Sequence, residues 1–360
     1  MYLLDYMNSH ENWRELLAAE PYCIEIKQDG NYFLLKYNQL LSNFSLPICK
    51  ECRGIIVRQE NDKWIPVCIP FFKFFNAQEE YADTAAMDWS TTKVLQKVDG
   101  SLCKIWFDRD EWHVSSNGTI DARTNMIGDY TFYSLVEMAA GDLNKLFSTL
   151  DPDYTYMFEL TTPYNKIVVQ YEGCHLWYLG RRNNHTLQED MVRPSFDNLL
   201  YPKLYDYHDL KTCYEVAEGM DLSEEGFVCV DAAYHRIKIK GAAYLEAHKI
   251  RGNGVLTLNR VCEMWQEETL DDFIAVCPEY TDYIENFKEA FARLAIEMAA
   301  AYIKNMFILD RRDYAKEAMK YPSVVRAYMF AKYDNKCGTA AEYLKNMRPK
   351  ALSEILEDRM

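Results

Sequence analysis

From residue 1 to about residue 250, apolar positions mostly recur every second residue, the period of a strand with one buried face. Residues 22–26 and 32–35 flank Asp29-Gly30, and residues 54–57 and 64–67 flank Asn61-Asp62. Each pair predicts a hairpin. Val94-Leu95 and the run 102–107 flank Lys97-Val98-Asp99-Gly100-Ser101 in the same manner, and 112–115 follows as another strand. Further strands fit 155–160, 166–171, 176–179, 226–230 and 236–240. Two helices interrupt this pattern. Ser9 can cap a short one through Trp13-Arg14-Glu15-Leu16-Leu17, and a longer one fits 126–150, weakened at Gly141.

After Gly252-Asn253-Gly254 the period changes. Ile284, Phe287, Phe291, Leu294, Met298 and Ile303 stand at helical spacing within 283–307. Helices also fit 313–320, 323–333 and 339–347, and no convincing strand remains. A chain of 360 residues is long for one core. The pattern predicts an α+β domain over 1–252 followed by an all-α domain over 253–360.

Composition narrows the class. The 49% hydrophobic fraction suits a globular protein, and no window reaches the apolar length of a membrane span. The start, Met1-Tyr2-Leu3-Leu4-Asp5, lacks the basic and apolar regions of a signal peptide. Eleven scattered cysteines read as reduced thiols, so a cytoplasmic setting is expected. Cys49-Lys50-Glu51-Cys52 has metal-clip spacing, but no second pair or His cluster accompanies it, and zinc is not expected. The net charge of -15 argues weakly against nucleic acid, yet its distribution is uneven. Residues 304–350 carry eleven Lys/Arg against five Asp/Glu, whereas 260–303 carry three against ten. The basic stretch is either a solvated set of helix faces or a phosphate-binding surface.

The chemistry concentrates around Lys97. A lysine amine attacks only when deprotonated, which burial or nearby positive charge favours. Taken alone, Lys97-Val98-Asp99-Gly100-Ser101 is an ordinary Asp-Gly turn with an exposed lysine. Other segments change that. Phe158-Glu159-Leu160 sets a lone acid in an apolar strand, and Glu225-Gly226-Phe227-Val228 opens another strand with an acid. Arg236-Ile237-Lys238-Ile239-Lys240 alternates strictly and places three cations on one strand face. They repel unless an anion sits among them, and a polyphosphate meets that need. Arg53-Gly54 and Pro70-Phe71-Phe72-Lys73-Phe74-Phe75-Asn76 add two more cations.

In order and content, these segments resemble the covalent nucleotidyltransferase superfamily of polynucleotide ligases and mRNA capping enzymes. Lys97-Val98-Asp99-Gly100-Ser101 is similar to its nucleophile motif. Phe158-Glu159, Glu225-Gly226-Phe227-Val228 and Lys238-Ile239-Lys240 are similar to three later motifs. Ser101 and Leu102 after the glycine resemble RNA ligases. Glu51-Cys52-Arg53-Gly54-Ile55, Lys73-Phe74-Phe75-Asn76 and Thr162-Pro163-Tyr164-Asn165-Lys166-Ile167-Val168 resemble the bacteriophage RNA ligase 1 family specifically. Asp310-Arg311-Arg312-Asp313-Tyr314-Ala315 resembles a segment of that family's helical C-terminal domain. At Ser116-Asn117-Gly118 the chain departs, since the family can carry a basic residue where Asn117 stands.

The resemblance implies a nucleotidyltransferase domain with ATP-grasp-like antiparallel sheets, then a helical RNA-specificity domain. It implies ATP-dependent joining of RNA 5′-phosphate and 3′-OH ends through lysyl-AMP and adenylylated RNA, with Mg²⁺ (or Mn²⁺), in RNA or tRNA repair. Lys97 is then the nucleophile, with Lys238 and Lys240 on the α-phosphate and Glu159 on the ribose hydroxyls. Glu225 and Asp99 act on hydrated metal. Arg53, Lys73 and Tyr37 orient the outer phosphates, and Val228 and Leu179 enclose the adenine unless they are plain core. Asn117 and Tyr244 are candidate RNA or phosphate contacts. Tyr314, Tyr321, Tyr328 and Tyr333 either touch RNA or fill the helical core. The rivals are a DNA-end ligase, another lysine nucleotidyltransferase, or an inactive RNA-binding relative.

Overall fold

The computed structural model describes residues 1–61, 63–164, 169, 171–221, 223–241, 244, 256–274 and 280–360. Contacts divide the chain into two units, Met1–Asn38 with Ser42–His248, and Gln39–Leu41 with Lys249–Met360. The expected boundary at Gly252-Asn253-Gly254 and most of the strand expected over 166–171 lie outside the described residues.

The first unit is built on three main sheets. The alternating pattern of its N-terminal part gives a four-stranded antiparallel sheet: β1 (Ile24–Asp29), β2 (Tyr32–Tyr37), β3 (Arg53–Glu60) and β4 (Lys63–Cys68). A five-stranded sheet runs β15-β6-β16-β17-β5, from β5 (Phe75–Asn76), β6 (Lys93–Gln96), β15 (Leu204–Tyr205), β16 (Gly226–Val230) and β17 (Arg236–Lys240). A six-stranded sheet runs β13-β12-β11-β7-β8, with β14 beside β12. Its strands are β7 (Ser101–Asp108), β8 (Glu111–Ser116), β11 (Tyr154–Thr161), β12 (His175–Asn183), β13 (Glu189–Asp190) and β14 (Leu199–Leu200). The small pair β9 (Met126–Ile127) and β10 (Tyr130–Thr131) stands apart.

Period-two burial decides which face of each sheet is core. On the five-stranded sheet Val94, Phe227, Cys229, Ile237 and Ile239 pack into one cluster, leaving Val228, Lys238 and Lys240 on the opposite face. On the six-stranded sheet Cys103, Ile105, Phe158 and Leu160 pack with Phe132, Leu135 and Val136, leaving Leu102, Lys104 and Glu159 on the other side.

Three local expectations change. The N-terminal helices are α1 (Tyr2–Ser9) and α2 (Trp13–Ala18), and Asn12 precedes α2. Ser9 is not a cap; it ends α1, and its hydroxyl donates back to the Asp5 carbonyl at 2.6 Å. After α3 (Pro47–Glu51), the helix expected over 126–150 starts late, as α4 (Phe132–Ala140) and α5 (Leu143–Phe147). Thr131 caps α4, and Gly141, at φ +77, ends it. The Lys97 turn is no hairpin, because β6 and β7 belong to different sheets. A final helix here is α6 (Leu210–Glu218).

Described residues 256–274 and 280–360 contain helices and no strand. They form α7 (Leu258–Gln266), α8 (Leu270–Ile274), α9 (Thr281–Asn305), α10 (Arg311–Ala318), α11 (Ser323–Tyr333), α12 (Ala340–Lys345) and α13 (Pro349–Glu357). Ile284, Phe287, Phe291, Leu294 and Met298 make the core stripe of α9, as their spacing predicts, but Ile303 is exposed. Tyr314 and Tyr328 are buried in that core, with Tyr321 and Tyr333 packed against it. The core alternative therefore holds for these four rings. No helix among the described residues is long and apolar enough to cross a membrane.

Candidate active site

Lys97 stands where the chain crosses from one sheet to another. Its backbone N–H donates to the Gly226 carbonyl at 2.8 Å, continuing the β6–β16 ladder by one bond. Four residues later β7 begins in the six-stranded sheet. Gly100 makes this crossing close. A side-chain carbon there would lie 2.5 Å from the Leu160 carbonyl oxygen and 2.9 Å from Glu159 Cγ. The missing side chain lets the Lys97 loop come against Glu159.

Glu225 joins the two strongest cations. Its Oε2 accepts from Lys97 Nζ at 2.6 Å, and its Oε1 pairs with Lys240 Nζ at 2.7 Å. Burial raises its pKa, but the Lys240 and Lys97 charges outweigh that and hold it below the usual carboxylate range. Glu159 is half-buried, and burial pushes its carboxyl up to about 8. Lys97 and Arg53 oppose that rise, while Glu225 and Asp99 add to it, which places all five groups in one electrostatic field.

Asp99 is buried, and its two oxygens accept from the Tyr244 hydroxyl at 3.0 Å and the Val169 N–H at 2.8 Å. Its own N–H donates to the Tyr171 hydroxyl at 3.3 Å. In this position it braces the nucleophile loop. Tyr244 is likewise buried, under Lys240, whose amine stands 4.8 Å from the ring centroid, so it is not an open phosphate contact.

The other cations fall into separate settings. Arg236 pairs with Glu189 at 2.6 Å, whereas Lys240 pairs with Glu225 within the site. Lys238 sits opposite Val228 on the non-core face of the sheet, and both are half-buried. Arg53 lies 4.9 Å from the Phe74 ring, and its buried Nη1 has no hydrogen-bond partner among the described residues. Lys73 is held 4.7, 4.6 and 4.9 Å from the rings of Tyr37, Phe44 and Phe75, so Tyr37 serves as one wall of a cation cage. Leu179 packs with Phe71, Leu102 and Met157. Asn117 Oδ1 is buried without a hydrogen-bond partner among the described residues.

The geometry thus gathers Lys97, Glu225, Lys240, Glu159, Asp99 and Arg53. Lys73 packs on Tyr37, and Leu179 on Leu102, the cross-strand neighbour of Glu159. Three polar residues escaped sequence reasoning: Tyr171, Glu189 and the fully buried Lys104. Lys104 had a readable signal, a single cation inside the apolar strand Ser101–Asp108.

No three His, Cys, Asp or Glu side chains among the described residues gather into a metal cage. Glu225 and Glu159 offer oxygen donors close to two lysines. That donor set suits a hard divalent cation which keeps most of its waters and leans on one or two carboxylates. Cys49 and Cys52 are buried in an apolar cluster, where burial raises both thiols.

A sequence profile of the RNA ligase family matches residues 51–244, more than half of the chain. The chain belongs to the bacteriophage RNA ligase 1 family. It is 28% identical over 94% of its length to a protein of Autographa californica nuclear polyhedrosis virus named as a bifunctional polynucleotide kinase/RNA ligase. It spans about half (51%) of that relative. The RNA ligase of Rhodothermus phage RM378 is 24% identical over 84% of this chain and 82% of its own. An archaeal ATP-dependent RNA ligase structure aligns with TM-score 0.48 and 13% identity over 91% of this chain and 78% of that one. Lys97, Glu159, Glu225, Lys238 and Lys240 all fall inside the matched family segment.

Proposed function

We propose that this chain is an ATP-dependent RNA ligase that joins 5′-phosphate and 3′-OH ends. The observation that carries the reading is the Lys97–Glu225–Lys240 arrangement beside Glu159, within the segment that matches the family.

In the first step the neutral Lys97 amine attacks the α-phosphorus of ATP. A P–N bond forms, the bond to the β-phosphate oxygen breaks, and pyrophosphate leaves. Next, a 5′-phosphate oxygen of the RNA attacks the lysyl-AMP phosphorus, which frees the lysine and leaves an adenylylated RNA end. A 3′-OH then attacks that end, forming the phosphodiester and expelling AMP. The covalent stage divides a hard displacement into easier ones.

Lys240 and Lys238 neutralise charge on the α-phosphate, and Glu159 binds the ribose hydroxyls. Its raised carboxyl lets it donate as well as accept below about pH 8. Arg53 and Lys73 meet the outer phosphates, with Tyr37 fixing Lys73. Val228 and Leu179 border the adenine. Asp99 and Tyr244 fix the nucleophile loop. Glu225, with Asp99, would hold Mg²⁺ (or Mn²⁺), which would supply positive charge that offsets phosphate charge.

Residues 1–252 constitute the adenylylation domain and 253–360 a helical domain that selects the RNA, with cleaved tRNA as its substrate in repair. With Tyr314 and Tyr328 in the core, RNA contacts fall to exposed cations such as Lys316 and Lys320. The compartment that suits this work and the many reduced thiols is the cytoplasm.

The test supplies ATP, Mg²⁺ and three substrates: 5′-phosphorylated single-stranded RNA, nicked duplex RNA and nicked DNA. Joining of single-stranded RNA supports the proposal. Sealing of DNA alone, or of nothing, refutes it.

A further inference from the structure

Lys104 is the buried cation that the ligase reading does not use. It lies on β7 opposite Met157, three residues past Ser101, and none of its surface is exposed. Its ammonium donates to the Gly54 carbonyl and forms no salt bridge with any described residue. An ammonium has three donors and needs a reason to remain in an apolar strand. Its pKa falls to about 8, through burial first, with the Lys36 and Arg53 charges adding to the fall and the Cys68 and Cys103 thiols opposing it.

The surroundings supply the reason. Gly54 has φ +74, and a side-chain carbon there would lie 2.4 Å from the Asn117 carbonyl, 2.9 Å from Asn117 Oδ1 and 3.1 Å from Lys104 Nζ. The Arg53-Gly54 backbone is therefore clamped between Lys104 and the Asn117 turn. Arg53 Nη1 and Asn117 Oδ1 are each buried without a hydrogen-bond partner among the described residues. Arg53 acts electrostatically on both Lys104 and Glu159, so it links the clamp to the nucleotide site. An unsatisfied guanidinium N–H that shares the electrostatic field of Lys104 is an acceptor-seeking arrangement, and a phosphate oxygen is the acceptor that fits.

We propose that Lys104 is a positioning residue for the terminal phosphates of the nucleotide. By tying the Gly54 carbonyl to β7, it keeps Arg53 Nη1 turned toward those phosphates. The cation stands on β7 where the neighbouring turn offers only the neutral Asn117. This role rests on the ligase reading for the source of the phosphates, while the clamp itself rests on geometry alone.

Calorimetric titration with inorganic pyrophosphate tests it without requiring turnover. Lys104→Met should weaken pyrophosphate binding by about tenfold, as should Arg53→Ala. The double variant should be no weaker than Arg53→Ala alone, because one residue acts through the other. Sealing of pre-adenylylated RNA, a step without a triphosphate, should keep its wild-type rate in Lys104→Met. If Lys104→Met does not fold by thermal unfolding, Lys104→Gln answers the same question, with the same loss expected. Unchanged or absent pyrophosphate binding in wild type and variant alike, multiplying losses in the double variant, or an equal loss in the sealing step overturns the proposal. A wild-type protein that binds pyrophosphate through Lys104 and Arg53 yet takes no label from ATP sinks the ligase reading and leaves the clamp standing.

Discussion

Glu225 offers one oxygen to Lys97 and the other to Lys240, and it is almost fully buried. Removing its charge leaves two ammonium groups facing each other at low dielectric. Glu225→Gln should therefore cost about 3 kcal/mol of stability, read from urea unfolding, as well as abolishing adenylylation. A variant as stable as wild type contradicts the bridging role. Glu159 gives a prediction of a different kind. Its carboxyl sits at about 8 in the folded protein against 4.5 in the ordinary state, because burial penalises the charge. Between those values the folded state holds a proton that the unfolded chain has released. The stability that this proton confers is full below the lower value and is lost as pH rises through the upper one. Glu159→Gln should thus gain on wild type as pH is raised from ~6 to ~9, by more than about 1 kcal/mol. An equal urea midpoint difference at both pH values would show that the carboxyl is not perturbed.

At the scale of elements, the loop from Lys97 to Ser101 has to cross between sheets while touching β11. Gly100→Ala would press a methyl into the Leu160 carbonyl at 2.5 Å. We expect a loss of about 1–3 kcal/mol and a displaced nucleophile, seen as slowed adenylylation with the fold retained. Tyr244→Phe removes one of the two bonds to Asp99 and should slow adenylylation by about tenfold, at a cost near 1 kcal/mol. Unaltered adenylylation in both variants would show that the loop needs no bracing.

This crossing marks where sequence legibility ends. β16 and β17 were readable to the residue, since strict alternation in Arg236–Lys240 and the opening Glu225-Gly226 define their ends. The same period says nothing about which sheet a strand joins, so β6 and β7 looked like a hairpin. The bracing of Asp99 was not readable because its partners Val169 and Tyr244 are distant in sequence. Lys104 stands out in the sequence as a single cation in an apolar run, but nothing in that run names its partner, the Gly54 carbonyl. Arg236 misled for the converse reason: its anion, Glu189, arrives from another strand.

For the whole molecule, the helical core is made from its own residues, with Leu40 and Leu41 packed against it from the segment Gln39–Leu41. Helix spacing exposed α9 and α11 in the sequence, whereas the short α8 carries too few turns to show a period. Division of labour predicts that a chain ended after residue 252 keeps covalent adenylylation but loses discrimination among RNA ends. Sealing rates on cleaved tRNA and on an unstructured RNA of equal length measure this, and an unchanged ratio between them counts against a selecting role for residues 253–360.

The ligase reading depends on Lys97 becoming covalently loaded. The protein should be incubated with Mg²⁺ and ATP labelled at the α-phosphate, then denatured and examined for retained label. Wild type should hold the label in an acid-labile P–N bond that pyrophosphate reverses, Lys97→Ala should hold none, and GTP should not substitute. An unlabelled wild type, or equal labelling of Lys97→Ala, would contradict the account.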